Sequence, residues 1–242
     1  MKDRVILVTG AGGAIGGAVA KALAAQGASV ILLGRSLLPL EKTYDAIAAT
    51  GHAQPAICPL DFATASPSDF QTIADTIQQE FGRLDGILHA AATLGSLTPI
   101  EHYDLPLWQR VLQINLTAPM LLTRACLDLL KVSTDASVLF STSEVGLKGQ
   151  AYWGAYGVAQ AGIENLAETL ADELEENTRI RINSIDPGPI RSRLRALAYP
   201  GEDPNTLPSA ETVLPVYVHL LSPDSENVSG QRIQAKNHSL YS

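Results

Sequence analysis

The sequence predicts an α/β chain built on a doubly wound parallel sheet with helices on both faces. Three observations carry this. Short apolar, β-branched runs alternate with amphipathic stretches of helical length. The runs are apolar throughout, as in strands buried on both faces. A glycine-rich turn follows the first run and opens the first helical stretch. In such sheets ligands bind beyond the carboxyl ends of the strands.

The elements follow in order. Val5-Ile6-Leu7-Val8 predicts the first strand, stopping at Thr9-Gly10. A helix is expected from Ile15 to Gln26, closed by Gly27, and a second strand over 29–33. A helix over 37–49 ends at Gly51, and a strand lies near 54–58. A helix over 67–81 closes at Gly82 and leads to a strand over 84–89. One helix near 107–130, a strand over 137–140, a helix near 155–175 and a strand near 180–185 complete the pattern. Residues 187–208 hold Pro187, Pro189, Pro200, Pro204 and Pro208 with Gly188 and Gly201. That irregular stretch reads as a lid or substrate loop, with a mobile connection as the alternative. No repeat or linker divides the chain, so 1–242 reads as a single domain.

Composition narrows the function. With 46% hydrophobic and 17% charged residues over 242, the chain has material for a packed core and is not disordered. Seventeen Lys+Arg against 25 Asp+Glu give a net charge of −8 with no basic block, which argues against nucleic acid or an anionic membrane as partner. No apolar run reaches the roughly 18 residues of a membrane span. Cys58 and Cys126 have neither metal-site nor disulfide-framework spacing. His52, His89, His102, His219 and His238 show no ligand spacing and read as structural, so no metal is expected. Met1-Lys2-Asp3-Arg4 runs straight into the first strand, which points to the reducing cytosol.

The glycine turn reads Thr9-Gly10-Ala11-Gly12-Gly13-Ala14-Ile15-Gly16-Gly17. Glycines there allow a sharp turn and a close approach to a pyrophosphate, and the helix N–H groups hold the negative charge. Position 15 is Ile, so the spacing is not Gly-x-Gly-x-x-Gly; it is Thr-Gly-x-x-x-Gly-x-Gly with Ala14 at the middle glycine.

That spacing resembles the short-chain dehydrogenase/reductase family, and further matches span nearly the whole chain. Leu60-Asp61-Phe62 resembles the family's adenine-contacting segment. Asn115, in Gln113-Ile114-Asn115-Leu116, matches its mid-helix active-site Asn. Ser143-Glu144-Val145-Gly146 matches Ser-x-x-Gly, and Tyr156 follows Ser143 by 13 residues, the family's spacing. Asp186-Pro187-Gly188 matches its Pro-Gly, and Ser229-Gly230-Gln231 its late Thr-Gly-Gln. The stretch 151–157 and Leu32-Leu33-Gly34-Arg35 resemble a bacterial subgroup of cytosolic oxidoreductases.

The resemblance implies a Rossmann-like dinucleotide-binding oxidoreductase. Its catalytic residues would be Asn115, Ser143 and Tyr156. Cofactor would be held by Gly10, Gly12, Gly13, Ile15, Gly16, Arg35, Asp61, Phe62, Ala90, Ala91, Tyr156, Gln160, Pro187, Gly188 and Ile190. It also implies pairing of the helices near 107–130 and 155–175 in a homodimer or homotetramer. Ala159, Ile163, Leu166, Leu170 and Leu174 form a stripe at helical spacing, part of which must cover the sheet, and Gly157, Ala161 and Gly162 leave close-packing surface beside it.

Three positions depart from the family. Its Tyr-x-x-x-Lys is here Tyr156-Gly157-Val158-Ala159-Gln160. Residues four apart share a helix face, so Gln160 stands where the lysine would be. An amide keeps hydrogen bonding to the nicotinamide ribose but brings no charge to lower the tyrosine pKa. The family's Asn-Ala-Gly is Ala90-Ala91-Ala92, losing the Asn's bonds to the backbone, and Ala14 adds a methyl near the pyrophosphate.

The remaining chemistry suits carbonyl reduction. Tyr156 donates a proton to the carbonyl oxygen, Ser143 holds that oxygen, and Asn115 supports the proton's replacement. An ordinary tyrosine is protonated at neutral pH and is a poor base without a nearby cation. After the second strand, Leu33-Gly34-Arg35-Ser36 has no carboxylate for a ribose 2′-OH, and Arg35 with Ser36 can grip a 2′-phosphate. NADP(H) is favoured; NAD(H), with Arg35 merely solvated, stays open. Arg191, Arg193 and Arg195 are candidates for cofactor phosphates or an acidic substrate, or are a solvated lid face. Lys148 is a candidate replacement for the missing lysine. The leading reading is an NADP(H)-dependent reductase of a small-molecule carbonyl. The alternative is a dinucleotide-binding sensor or partner subunit with little turnover. A sugar-nucleotide epimerase is disfavoured by the short C-terminus.

Overall fold

The computed structural model describes residues 1–51 and 54–237; His52 and His238 lie outside the described residues. The elements are β1 (Val5–Thr9), α1 (Ala14–Ala25), β2 (Ser29–Gly34), α2 (Leu37–Ala48), β3 (Ala56–Pro59), α3 (Pro67–Phe81), β4 (Gly86–His89), α4 (Leu105–Leu112), α5 (Ala118–Val132), β5 (Ala136–Ser141), α6 (Gly154–Glu175), β6 (Ile180–Asp186), α7 (Arg193–Ala198), α8 (Leu214–Leu221) and β7 (Arg232–Gln234).

All seven strands pair in parallel in the order β3-β2-β1-β4-β5-β6-β7. The chain builds outward from β1 to β3, then returns to place β4 on the other side of β1. That reversal opens a crevice at the carboxyl ends of β1 and β4, where this Rossmann-like fold takes its ligand.

Alternate residues of each strand feed two cores. Leu7, Val138, Phe140 and Ile182 pack under α3, α5 and α6 with Phe70, Leu122 and Ile163. Ile6, Val8, Leu139 and Ile185 pack under α1, α2 and α8 with Leu23, Leu40 and Tyr217. Burial on both faces is why the strands carry no polar alternation. At the opposite end of the strands, Asp135 binds Arg4 (2.8 Å) and Arg181 (3.0 Å), fastening β1, β5 and β6 together.

Three differences from the sequence reading bear on the site. The helix expected near 107–130 is broken: α4 ends at Leu112, a π-helical turn spans Gln113–Thr117, and α5 begins at Ala118. Pro119 lies in the first turn of α5, where its missing N–H is tolerated. The stretch 187–208 is not wholly irregular, since it contains α7 and a short 3-10 turn at Pro204–Thr206. Finally, α8 and β7 extend the pattern past β6; β7 has three residues, too few to register as a periodic run.

Candidate active site

The glycine turn is positioned from beneath by Thr9. Its buried hydroxyl accepts from Ala90 N (3.0 Å) and Ala91 N (3.1 Å), tying the end of β1 to the end of β4. Thr9 thereby supplies the backbone anchoring that the alanine triplet cannot. Gly10 has φ +64°, and a Cβ there would lie 2.8 Å from the Ala90 carbonyl carbon. A Cβ on Gly12 would lie 2.6 Å from Pro39 Cβ, and one on Gly16 would collide with the Gly10 oxygen. The helix α1 is N-capped by Gly13 without a side-chain bond, leaving first-turn donors open to an anion. Ala14 is exposed. Ile15 is half-buried and packs on the α1/α8 core.

At the end of β2, Arg35 is exposed and makes no hydrogen bond or ion pair with the described residues. Ser36 N-caps α2, also without a side-chain bond. A free guanidinium and a free hydroxyl thus sit where a dinucleotide's adenine ribose is read. Beyond β3, Asp61 accepts from Ala63 N (3.0 Å). The Phe62 ring is buried edge-on against Phe70 (5.6 Å), which leaves its backbone as the part open to a ligand. Ile190 is likewise buried, packed with Val213 and Tyr217 in the α1/α8 core.

Asn115 is buried and engaged by backbone after β4. Its Nδ2 donates to Thr93 O (2.8 Å) and its Oδ1 accepts from Thr93 N (2.9 Å), so the side chain is taken up in holding the segment after β4. It lies in the π-helical turn, as such turns often do at functional sites.

Ser143 and Tyr156 come together as expected. The hydroxyl of Ser143, two residues past β5, hydrogen-bonds the Tyr156 phenol on the first turns of α6. Tyr156 is buried, with Trp153 at 5.7 Å between ring centroids. Trp153 in turn meets Tyr199 of the 187–208 segment (6.0 Å). Burial pushes the phenol up to about 12; the Ser143 bond eases this and the negative Asp186 adds to it. The group is therefore a phenol at neutral pH.

Gln160 lies one turn further along α6, 3% exposed, and its Oε1 is buried with no partner. Gly146 presses on it so closely that a Cβ would lie 2.8 Å from the Gln160 carbonyl carbon. Lys148 is exposed on the adjoining turn. At the end of β6, Asp186 Oδ1 accepts from Gly188 N (2.8 Å), shaping Pro187-Gly188, with Gly188 at φ +73°. Burial and the carboxylates of Glu144 and Glu164 raise the Asp186 pKa.

Of the three arginines in the 187–208 segment, two brace that segment itself. Arg191 donates to Pro204 O (2.7 Å) and Leu207 O (3.2 Å). Arg195 grips Glu202 at 2.6 and 2.8 Å and stacks 3.7 Å over the Tyr199 ring. Only Arg193 is exposed and unengaged by the described residues. Sequence reasoning gave no role to Thr9, Trp153, Tyr199 or Asp186. Thr9 stood inside the glycine motif and Trp153 three residues before Tyr156; the aromatic contact to Tyr199 had no local signal.

Among the described residues no group of His, Cys, Asp and Glu could hold a metal, and no helix is long and apolar enough to cross a membrane. Related proteins agree with the geometry. The oxidoreductase YciK of Escherichia coli is 39% identical over 236 residues, covering 98% of this chain and 93% of YciK. A short-chain dehydrogenase structure from Pseudomonas syringae has 48% identity and a TM-score of 0.95, covering 97% of this chain and 95% of that one. One from Shigella flexneri, complexed with NADP, has 39% identity and a TM-score of 0.94 over 98% of each chain. The short chain dehydrogenase family description matches residues 4–203. With the Ser143–Tyr156 pair, the glycine turn and this sheet order in one chain, the protein belongs to the short-chain dehydrogenase/reductase family of oxidoreductases.

Proposed function

We propose that the protein is an NADP(H)-dependent reductase that converts a small-molecule carbonyl to an alcohol. The observation that carries this is the Ser143–Tyr156 pair, with the tyrosine held as a phenol by burial. When bound, the nicotinamide cofactor supplies the hydride. The phenol O–H of Tyr156 gives its proton to the carbonyl oxygen, and Ser143 hydrogen-bonds that oxygen.

The chain's residues fit the cofactor. Gly10 and Gly16 keep a turn that any Cβ would fill, and the N-terminus of α1 offers uncapped donors. Arg35 and Ser36 are free to take a 2′-phosphate, consistent with the NADP found in the Shigella flexneri relative. The unpartnered Gln160 Oε1 is an acceptor for a ribose hydroxyl. Pro187 and Gly188 contribute backbone, and residues 187–208, braced by Arg191 and Arg195, serve as the substrate lid. The catalytic unit is a homodimer or homotetramer paired through α5 and α6.

A second reading, a dinucleotide-binding protein with little turnover, is favoured by one observation: position 160 brings no charge to Tyr156. Titration of NADPH and NADH by tryptophan fluorescence, followed by an aldehyde and ketone screen for NADPH consumption, decides. Trp153, at 5.7 Å from Tyr156, is the reporter. Tight NADPH binding with turnover supports the reductase; binding with no turnover across the screen supports the second reading.

A further inference from the structure

Trp153 is presented to Tyr156 by an unusual turn. Both of its neighbours have left-handed backbones, Tyr152 at φ +74° and Gly154 at φ +36°. For a tyrosine that conformation is costly, and residues so held gather at functional sites. Thr98 N donates to Tyr152 O (3.1 Å) and fixes the turn from one side. On the other, Gly154 lies so close to Tyr103 that a Cβ would stand 2.7 Å from its ring. The turn sets the Trp153 ring between two others, 5.7 Å from Tyr156 and 6.0 Å from Tyr199, tilted by 46° and 50°.

The surroundings are apolar. Leu94, Val145 and Ala155 are buried in one cluster with Tyr156, and Trp153 and Tyr199 pack half-buried against it. A carbonyl oxygen that meets both Ser143 and Tyr156 leaves its substituent among these side chains. The inner members are buried, so the half-exposed rings of Trp153 and Tyr199 are the surfaces left for it. Tilted rings at this spacing form a wedge in which a flat guest stacks on one ring and meets the edge of the other. Arg195, 3.7 Å over Tyr199, steadies that ring but offers no free charge, because Glu202 holds it at 2.6 and 2.8 Å.

We propose that Trp153 and Tyr199 are specificity-determining residues that seat an uncharged aromatic ring, so that the substrate is an aryl aldehyde or ketone. The carbonyl carbon gains a hydride from NADPH and its oxygen gains the Tyr156 proton. The products are the aryl alcohol and NADP+, and the phenolate regains a proton from water.

This rests on the reductase reading above, and two readouts keep the two apart. The first is the ratio of kcat/KM for benzaldehyde to that for cyclohexanecarbaldehyde, which has a similar bulk without the π-system. In Trp153→Leu and in Tyr199→Leu the ratio should fall roughly two- to tenfold, the worth of an aromatic pair beyond its buried area. A general disturbance of Tyr156 would slow both aldehydes alike and leave the ratio where it was. Trp153→Phe, which keeps a ring, should retain most of the preference, and thermal melting checks each fold. In the unaltered protein 4-carboxybenzaldehyde should be a poorer substrate than benzaldehyde; the reverse order overturns the uncharged assignment. The second readout needs no turnover: ligand-observed NMR of benzyl alcohol with the NADP+-saturated protein, whose affinity should weaken in both leucine variants. Weakened binding where no aldehyde is reduced supports the ring seat and removes the reductase reading. No difference between the leucine variants and the unaltered protein in either readout overturns the proposal.

Discussion

Thr9 Oγ1 accepts hydrogen bonds from both Ala90 N and Ala91 N, at 3.0 and 3.1 Å, directly below the glycine turn. One hydroxyl therefore ties the chain leaving β4 to the end of β1. Thr9→Val preserves shape but leaves two backbone donors without an acceptor. Each buried donor left unsatisfied costs about 1–3 kcal/mol. Urea unfolding should show a loss of about 2–6 kcal/mol for the two together, and NADPH affinity should fall with it. Unchanged stability would mean that Ala90 and Ala91 are held by other contacts.

The glycine turn, the order of elements through β6 and the Ser143–Tyr156 pair were legible because each rests on local spacing. A helix that contacts its neighbours four residues apart and a turn that needs φ +64° leave marks in a single short segment. What was not legible is long-range. Thr9 and Ala90 are 81 residues apart in sequence, and nothing near Thr9 says what its hydroxyl meets. Asn115 was recognised, but its engagement with Thr93 depends on a π-helical turn that helical periodicity does not reveal. Phe62 and Ile190 lie beside cofactor-binding segments in sequence, yet their side chains point into the two cores.

Arg35 is the side chain expected to discriminate between cofactors. It is exposed and unengaged, and Leu33-Gly34-Arg35-Ser36 offers no carboxylate to a ribose 2′-OH. Arg35→Ala should weaken NADPH by about 1.5–3 kcal/mol, the range for hydrogen bonds to a charged group. NADH, lacking the 2′-phosphate, should bind nearly as before. Calorimetry on both cofactors checks this, and equal affinities in the unaltered protein would refute it.

His89 gives the fold an acid sensitivity next to the site. It is buried at the end of β4, stacked 4.7 Å from Phe140, with Nε2 bonded to Thr123 (2.9 Å) and Nδ1 unpartnered. Burial pushes its pKa from 6.5 down to about 3. A depressed histidine stabilises the fold fully above its unfolded pKa, and that stability drains as pH falls from 6.5 toward 3. The loss is about 1.4 kcal/mol per pH unit. Between neutrality and pH 5, urea unfolding of the unaltered protein should lose about 2 kcal/mol more than that of His89→Gln, which cannot titrate. Parallel pH dependences would show that His89 is charged without penalty.

Gln160 and Tyr156 test the chemistry most directly. They lie one turn apart on the buried face of α6, and the phenol sits at about 12 with no cation acting on it. A cation at position 160 should lower the phenol by about one to three pH units, each worth about 1.4 kcal/mol between the two protonation states. Part of that appears in the barrier, because a stronger acid transfers its proton more readily. Gln160→Lys should raise reductive kcat/KM by roughly tenfold, and stopped-flow NADPH oxidation measures it. Glu164, one further turn along, is already engaged by Ser184 and Arg232 and so should only partly neutralise the new charge. Tyr156→Phe should cost about 10²–10⁴ in turnover while NADPH still binds. Lys148 is exposed, so Lys148→Ala should leave the rate within about twofold, as for a solvated surface charge. Loss of turnover in Lys148→Ala, with no gain in Gln160→Lys, would instead show that the loop lysine swings in to supply the missing cation.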